Sequence, residues 1–332
     1  MKRIITIDAT NTITRAILWE DDNAVATACK EAGLSDTVRD GNNEMLKTAA
    51  KTCIEEVLQV GNTALKSIDK IVACGMLTSG IGLYELPHIK TPAGVEDYAA
   101  GMKAVLMEDV CDIPIWFIPG MKNAVDEISI DTFEEMDIMR GEEIDCAAIL
   151  STLPKGKPYV VVLSEYYHTK FISVNTDGKM TGCLTTITGD ILSSITNHID
   201  IGDCVGRKFL EEAEYDKEMV LRGFCAANKV GLGRIGFSTK ILNIFVEKDK
   251  TKLCNFLLGA VLSNDVQCAR NSKAIKVSKD MTVVVHAEKP LGTALVDVLT
   301  EDGYFSDVRL YQKTDEIPLV SKGAKYIADR KI

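Results

Sequence analysis

The stretch that decides the fold is Met139-Arg140-Gly141-Glu142-Glu143, which is followed by a proline-bounded break and then by the apolar run Tyr159–Leu163. Glu142–Ser151 is predicted to be a helix. The break Pro154-Lys155-Gly156-Lys157-Pro158 ends it, because proline and glycine terminate helices and form turns. Tyr159–Leu163 then opens a strand. We therefore predict a domain boundary near Ser151–Pro158, with one domain at residues 1–152 and a second at residues 153–332.

The two halves on either side of this boundary begin alike. Arg3–Asp8 and Thr14–Glu20 predict a hairpin in the first half, and Phe171–Asn175 is predicted to pair with Thr181–Thr186 in the second. The other predicted elements are helices at Asn43–Val60, Ile191–Ile199, Arg207–Val220 and Thr251–Cys268, strands at Lys70–Cys74, Ile113–Ile118 and Met281–Val285, and a helix from Gly292. This alternation predicts α/β layers and not a sandwich or a helical bundle.

Composition limits the class of protein. The 332 residues are 46% hydrophobic, which is enough for two packed domains, and the net charge of -10 argues against non-specific binding to nucleic acid or an anionic membrane. A local basic cleft for an anionic ligand stays compatible with that charge. No apolar run is long enough to span a bilayer, and no cleaved signal peptide is expected. The ten cysteines lack zinc-type spacing, so we predict reduced, mostly buried thiols in a cytoplasmic protein.

Several separated motifs occur in an order that resembles one known family. They are Asp8 with Thr10-Asn11-Thr12 and Arg15-Ala16, Gly75-Met76-Leu77-Thr78-Ser79 with Gly82 and Leu86-Pro87, Thr91-Pro92-Ala93-Gly94, Ile118-Pro119-Gly120, Met139–Glu143, Thr186–Leu192, Gly231-Leu232-Gly233-Arg234, Phe237-Ser238 and Phe256–Ala260. Together they resemble the 2-dehydro-3-deoxygalactonokinase family, and the resemblance covers nearly the whole chain.

The resemblance implies two ribonuclease-H-like domains of the actin/hexokinase type, with a sugar acid and ATP meeting in an interdomain cleft. The implied reaction uses ATP and Mg²⁺ to phosphorylate the 6-hydroxyl of 2-dehydro-3-deoxy-D-galactonate or a related 2-keto-3-deoxy sugar acid. The first domain would hold the substrate loops and the first phosphate loop, and the second domain the second phosphate loop and the adenosine region. The implied partners are a sugar acid and a nucleotide, and the sequence leaves a homo-oligomer open.

In the first phosphate loop, the resemblance implies that Asp8 holds hydrated Mg²⁺, whereas the alternative is an aspartate that caps its own turn. Thr10, Asn11 and Thr12 would donate hydrogen bonds to a phosphate, or would be ordinary turn residues. Thr10 stands where related kinases have glycine. A β-branched residue allows neither the close approach nor the unusual dihedral angles that glycine permits there.

The central motif, Met139–Glu143, supplies the predicted catalytic groups and part of the predicted substrate site. Glu142 occupies the position of the aspartate base of related kinases and is our preferred proton acceptor, with Glu143 as the second candidate. The alternative role of both is favourable charge at a helix N-terminus. Arg140 would bind the substrate carboxylate, or would form an ion pair with Glu142 or Glu143. Substrate hydroxyls would bind the loop containing Gly75, Met76 and Ser79, which could equally be a structural turn.

The second half departs from the family pattern at two loops. Ser164-Glu165-Tyr166-Tyr167 precedes His168 where relatives have Pro-Gly-Thr, and Glu165 adds negative charge near the expected triphosphate. His168 and Lys170 are the predicted phosphate ligands here, with a solvated strand lysine as the alternative for Lys170. In the adenosine region, His286-Ala287-Glu288-Lys289-Pro290 replaces a small Gly-Thr-Ser turn.

These departures leave three functions to compare. The first is a sugar-acid kinase, and the second is a catalytically degenerate relative that binds a sugar acid or a nucleotide as a sensor or interaction protein. The third is another activity of the actin fold, such as an acyl-phosphate kinase or a regulator that binds a sugar phosphate. The retained substrate motifs favour the kinase, whereas the altered phosphate loops favour the binding protein.

Overall fold

The computed structural model describes residues 1–165 and 167–331; for Glu165 it describes the backbone only. Strands and helices alternate along the chain. The strands are β1 (Arg3–Ala9), β2 (Thr14–Glu20), β3 (Asn23–Lys30), β4 (Lys70–Ala73), β5 (Ile89–Lys90), β6 (Lys103–Met107), β7 (Cys111–Phe117), β8 (Met121–Lys122), β9 (Ile138–Met139), β10 (Tyr159–Glu165), β11 (His168–Val174), β12 (Met180–Thr186), β13 (Thr282–Ala287) and β14 (Asp307–Leu310). The helices are α1 (Leu34–Asp40), α2 (Glu44–Val60), α3 (Val95–Gly101), α4 (Glu142–Thr152), α5 (Thr188–His198), α6 (Lys217–Val230), α7 (Leu232–Phe245), α8 (Lys250–Asn271), α9 (Leu291–Asp302) and α10 (Leu319–Ala328).

The first large sheet has the strand order β3-β2-β1-β4-β7-β6. Strands β1, β2 and β3 form an antiparallel meander, and β4 then pairs in parallel with both β1 and β7. Ile5 and Ile7 of β1 are fully buried, as is Ile71 of β4, which lies opposite Ile5. Burial of central parallel strands on both faces explains why they are continuous apolar runs in the sequence.

The second large sheet repeats this arrangement in the order β12-β11-β10-β13-β14. Strands β10, β11 and β12 are antiparallel neighbours, and β13 pairs in parallel with β10 and β14. Val160, Val161 and Val162 in β10 are fully buried. The repeated topology confirms the predicted α/β fold of the actin/hexokinase type.

The core of the second sheet is completed by the long helix α8, whose residues are mostly buried. Helices α6 and α8 approach closely at two glycines. A Cβ atom on Gly223 would lie 1.8 Å from the Phe256 carbonyl oxygen, and one on Gly259 would lie 1.8 Å from that of Val220. Neither position has room for a side chain, which fixes how the two helices pack.

The chain divides into two compact units that interleave along the sequence. The first comprises residues 1–124, 138–155 and 313–332, and the second comprises residues 125–137 and 156–312. The passage from Lys155 to Gly156 lies within the predicted boundary region Ser151–Pro158. The C-terminal segment belongs to the first unit because α10 packs against α4, where a Cβ on Gly323 would lie 2.0 Å from the Ile144 carbonyl oxygen.

One predicted helix, Arg207–Val220, is wrong. Arg207 has a φ of 50°, which belongs to the left-handed region and is incompatible with a helix at that residue. Helix α6 begins only at Lys217, where the Asp216 side chain accepts a hydrogen bond from the Met219 amide at 3.1 Å.

The burial of the cysteines and the hydrophobicity of the helices can be compared with the predictions made from composition. All ten cysteines are free, and seven of them are buried, as the composition predicts. Within residues 1–165 and 167–331, no helix has the length and apolar character needed to cross a membrane.

Candidate functional site

Asp8 lies near the carboxyl end of β1 and is 5% exposed. Its two carboxylate oxygens accept hydrogen bonds from Nε and Nη2 of Arg15, at 3.1 Å and 2.6 Å. Residue Arg15 faces Asp8 across the β1–β2 pair, and the Ser321 hydroxyl of α10 also donates to Asp8, at 3.2 Å. These contacts fix the orientation of the Asp8 side chain and offset its charge.

The loop after β1 is held by its own hydrogen bonds. The Thr10 hydroxyl accepts from the backbone amides of Thr12, at 3.3 Å, and Ile13, at 3.1 Å. The carbonyl groups of Thr10 and Asn11 accept from the amides of the first two residues of α1, at 3.1 Å and 2.9 Å. All three predicted phosphate ligands, Thr10, Asn11 and Thr12, are exposed. Among the described non-glycine residues, positive φ occurs only outside this loop, so Thr10 fits without strain.

Two of the predicted substrate motifs meet in the structure. Gly75 and Gly141 have φ values of 61° and 127°, and a Cβ on Gly75 would lie 3.6 Å from the Gly141 Cα. Both glycines are therefore required by backbone conformation. In the same loop the Ser79 hydroxyl donates to the Met76 carbonyl at 2.7 Å, so it stabilises a turn.

The adjacent residues Glu142 and Glu143 lie in different environments. Glu142 is half-buried, and its Oε2 accepts from the Arg140 backbone amide at 3.0 Å. Glu143 is fully buried, and both of its carboxylate oxygens accept from the Gly141 amide, at 2.9 Å and 3.0 Å. Burial, reinforced by the nearby Glu142 charge, raises the pKa of Glu143 to about 8. Glu143 is therefore mainly protonated at neutral pH, whereas the half-buried Glu142 is the more accessible of the two carboxyl groups.

Arg140 connects the central motif to the loop before β5. Its Nη1 donates to the Thr78 carbonyl at 2.6 Å and to the Thr78 hydroxyl at 2.5 Å, and its Nη2 donates to the Leu86 carbonyl at 2.9 Å. Nη2 also lies 3.2 Å from Nε2 of His88. Burial, with the positive charges of Arg140 and Lys122, lowers the pKa of His88 to about 4, so this ring is neutral near pH 7. His88 was not predicted from the sequence, because its position before a two-residue strand gives no pattern.

In the second unit, Lys170 is buried and hydrogen-bonded. Its ammonium donates to the Thr185 hydroxyl at 2.5 Å and lies 3.8 Å from Oδ1 of Asp137. Asp137 also accepts from the Thr185 amide at 2.6 Å. The side chain of Lys170 is 7% exposed overall, so a solvated strand lysine does not describe it. Asp137 lies two residues before Met139, the first residue of the central motif, and was not singled out from the sequence.

The hairpin between β10 and β11 is tied to α5. The Tyr167 carbonyl accepts from the amides of Gly189 and Asp190, at 2.9 Å and 3.2 Å, and His168 lies 3.8 Å from the carboxylate of Asp190. His168 is exposed. Tyr166 and the Glu165 side chain, which belong to the altered second phosphate loop, lie outside the described residues.

A buried carboxylate anchors the start of α5. Asp265 of α8 is fully buried and accepts from the Thr188 hydroxyl at 2.5 Å. Burial raises the pKa of Asp265 to about 6, and hydrogen bonds from Thr188, Thr186 and Thr169 oppose the shift. Nothing in the linear sequence separates this aspartate from the exposed ones.

The fit of a divalent cation depends on Asp8. No group of three or more His, Cys, Asp or Glu side chains arranged to hold a metal occurs in the described part of the chain. Mg²⁺ in kinases is commonly bound through one or two carboxylates, waters and substrate phosphates. Asp8 has about one lone pair left after its contacts with Arg15 and Ser321, which suits a contact with a hydrated ion.

Comparison with known proteins agrees with the motifs and the fold. A curated relative named as a probable 2-dehydro-3-deoxygalactonokinase, DgoK1 of Rhizobium meliloti (strain 1021), is 28% identical over 165 residues. That match covers 49% of this chain and 49% of the relative, so the aligned part spans about half the length of each protein. A solved structure from Sinorhizobium meliloti, named as a 2-dehydro-3-deoxygalactonokinase protein, superposes with a TM-score of 0.69 at 19% sequence identity. The superposition covers 98% of this chain and 97% of that chain, so the two proteins share a fold. A family model described as 2-keto-3-deoxy-galactonokinase matches residues 8–315, and the chain therefore belongs to that family.

Proposed function

We propose that this protein transfers the γ-phosphoryl group of ATP to the 6-hydroxyl of 2-dehydro-3-deoxy-D-galactonate. The family match over residues 8–315 supports a kinase that acts on a sugar acid. The observation on which the proposal rests is the pair Glu142 and Glu143 beside the Gly75 loop. One of the two carboxylates is half-buried, whereas the other is buried with its pKa raised to about 8.

In this mechanism Glu142 accepts the proton of the attacking hydroxyl, and Glu143 holds the Gly141 amide. The turn formed by Gly75, Met76 and Ser79 binds sugar hydroxyls. Its position is fixed by the contact between Gly75 and Gly141. Phosphoryl transfer asks the protein mainly for positioning and charge stabilisation, so this rigid arrangement suits the reaction.

Nucleotide binding is proposed for two sets of residues, one in and after β1 and the other on β11. Thr10, Asn11 and Thr12 are exposed on a turn that holds its own shape. The amide and the hydroxyl of Thr10 both donate to the Ile13 carbonyl, at 2.8 Å and 3.4 Å, so the side chains of Asn11 and Thr12 would supply the contacts to a phosphate. Asp8 would contact Mg²⁺ through a bound water, and the metal would neutralise phosphate charge. His168 is exposed and available, whereas Lys170 shares its ammonium with Thr185 and Asp137 and contributes positive charge from a buried position.

The test is direct. The purified protein is incubated with ATP, Mg²⁺ and 2-dehydro-3-deoxy-D-galactonate, ADP release is followed, and the product is examined by phosphorus NMR for attachment at C6. The gluconate epimer of the substrate is the control for stereochemistry. Formation of a 6-phosphate supports the proposal. Binding of the sugar acid without ADP release would instead favour a sensor protein, and a thermal-shift series detects such binding, since a ligand at about 100 times its Kd stabilises by roughly 2.7 kcal/mol.

A further inference from the structure

Strands β5, β8 and β9 form a small three-stranded sheet within the first unit. Lys122 in the central strand lies opposite Lys90 on one side and Ile138 on the other. Paired residues share a face of a sheet, and neighbours in sequence point to opposite faces. Lys90 and Lys122 therefore lie on one face, while the buried Met121 and Met139 lie on the other.

The same face continues beyond the ends of these short strands. His88 precedes Lys90 by two residues, and Arg140 follows Ile138 by two, so both extend the row. Their side chains meet, since Nη2 of Arg140 lies 3.3 Å from Nδ1 and 3.2 Å from Nε2 of His88. We call the set His88, Lys90, Lys122 and Arg140 the basic face.

The positive charges of the basic face are not equally available to a ligand. Both terminal nitrogens of Arg140 are used by Thr78, Leu86 and His88, and Glu143 and Glu85 are close enough to act on its charge. The Lys122 side chain is partly buried. Within residues 1–165 and 167–331, its ammonium makes no hydrogen bond and no ion pair. Partly buried cations are usually paired, so Lys122 has the capacity to bind an anion.

The basic face also lies beside the predicted base. The backbone amide of Arg140 donates to Glu142 at 3.0 Å, which joins the end of the basic face to the carboxylate that would accept the proton. A six-carbon sugar acid has its carboxylate at one end and its 6-hydroxyl at the other. Such a molecule can place its anionic end on the basic face and its hydroxyl end toward Glu142.

We propose that Lys122 binds the carboxylate of the sugar-acid substrate, and that Arg140 holds the Thr78–Leu86 loop in place. This inference rests on the proposed function and deepens it, because it names the group that separates a sugar acid from a neutral sugar. A lysine acts as a point charge, without the two parallel bonds of an arginine, so it suits the rotatable carboxylate of a flexible open-chain acid.

The experiment compares Lys122→Met, which removes the charge and keeps the chain length, with Lys122→Arg, which keeps the charge. Lys66→Met, at an exposed lysine of the same unit, is the matched control. Each variant is assayed with 2-dehydro-3-deoxy-D-galactonate and with the neutral 3-deoxyhexulose that carries CH₂OH in place of the carboxylate. The sugar acid is also titrated by calorimetry without ATP.

For Lys122→Met, we expect KM for the acid to rise about 10- to 100-fold, the loss expected for one charge-assisted hydrogen bond. KM for ATP and the activity with the neutral sugar should not change, Lys122→Arg should recover most of the acid affinity, and Lys66→Met should behave as wild type. An unchanged KM for the acid in active Lys122→Met would overturn the inference and leave the kinase proposal standing. Acid binding that depends on Lys122 without ADP release would sink the kinase proposal and uphold the inference. If Lys122→Met does not fold, Lys122→Gln is tested by the same criteria.

Discussion

Replacing Glu142 by glutamine tests the assignment of the catalytic base. Glutamine keeps the size of the side chain, and its amide oxygen can still accept from the Arg140 amide, as Oε2 of Glu142 does at 3.0 Å. What it loses is the ability to take up a proton. General-base catalysis contributes about 10²- to 10⁴-fold, so kcat should fall by that factor, which corresponds to roughly 3–5 kcal/mol of activation free energy.

The matched control is Glu143→Gln. Glu143 is fully buried and, with its pKa raised to about 8, is mainly protonated at pH 7. Glutamine therefore resembles the form already present, and its oxygen can still accept from the Gly141 amide. We expect kcat to change by less than about tenfold, because no proton-accepting group is lost at neutral pH.

Both variants are measured by ADP release at saturating ATP, with the sugar acid varied so that kcat and KM are separated. A fall in kcat with KM unchanged identifies an interaction made in the transition state. The opposite pattern, in which Glu143→Gln is inactive and Glu142→Gln retains kcat, would refute the reasoning from burial and transfer the role of base to Glu143.

Three further outcomes are expected. Because the pKa of Glu143 is raised to about 8, the folded state binds this proton more tightly than the unfolded state does. The free energy of unfolding should therefore fall by on the order of 5 kcal/mol as the pH rises from about 5 to 8. Urea midpoints of Glu143→Gln should depend less on pH over that range than those of the wild type. Thr10→Gly removes the hydroxyl that accepts from Thr12 and Ile13, so we expect a loss of about 1 kcal/mol in unfolding free energy and no gain in ATP affinity by calorimetry, whereas tighter ATP binding would show that the threonine obstructs the loop. Lys170→Met removes the cation beside the mostly buried Asp137 carboxylate, which keeps its hydrogen bonds from Thr185, and should lower the ligand-free unfolding free energy by roughly 3 kcal/mol; an unchanged melting temperature would show that the Lys170 charge does not stabilise the fold.

The sequence predicted most of the central strands because those strands are buried on both faces. Thr14–Glu20 agrees residue for residue with β2, and Tyr159–Leu163 lies within β10. In contrast, β3 was not predicted. Its alternating pattern uses alanine, threonine and cysteine, whose hydrophobic contrast is weak, and its hydrogen bonds to β2 supply the missing information.

The candidate site was only partly predictable, because its side chains are held by residues far away in the sequence. The motifs around Gly75 and Gly141 were recognised separately, but their contact depends on tertiary packing. The partners of Arg140, namely Thr78 and Leu86, are more than fifty residues away from it. From the sequence, Arg140 is a carboxylate ligand or an ion-pair partner of Glu142 or Glu143, and neither alternative includes its hydrogen bonds to Thr78 and Leu86, which depend on tertiary packing.

The replacement of a glycine by Thr10 shows how a sequence argument about strain depends on the backbone. Glycine is required where φ is positive or where another chain approaches closely. Position 10 meets neither condition. Its φ is not positive, since the described non-glycine residues with positive φ lie elsewhere. The residue that approaches closely is Gly33, where a Cβ would lie 2.5 Å from the Thr10 carbonyl oxygen. The backbone amides of Leu34 and Ser35, which follow Gly33, donate to the carbonyl groups of Thr10 and Asn11 and so hold the loop. The close approach at this loop is thus made by Gly33 before α1, and the backbone conformation at Thr10 does not itself demand a glycine.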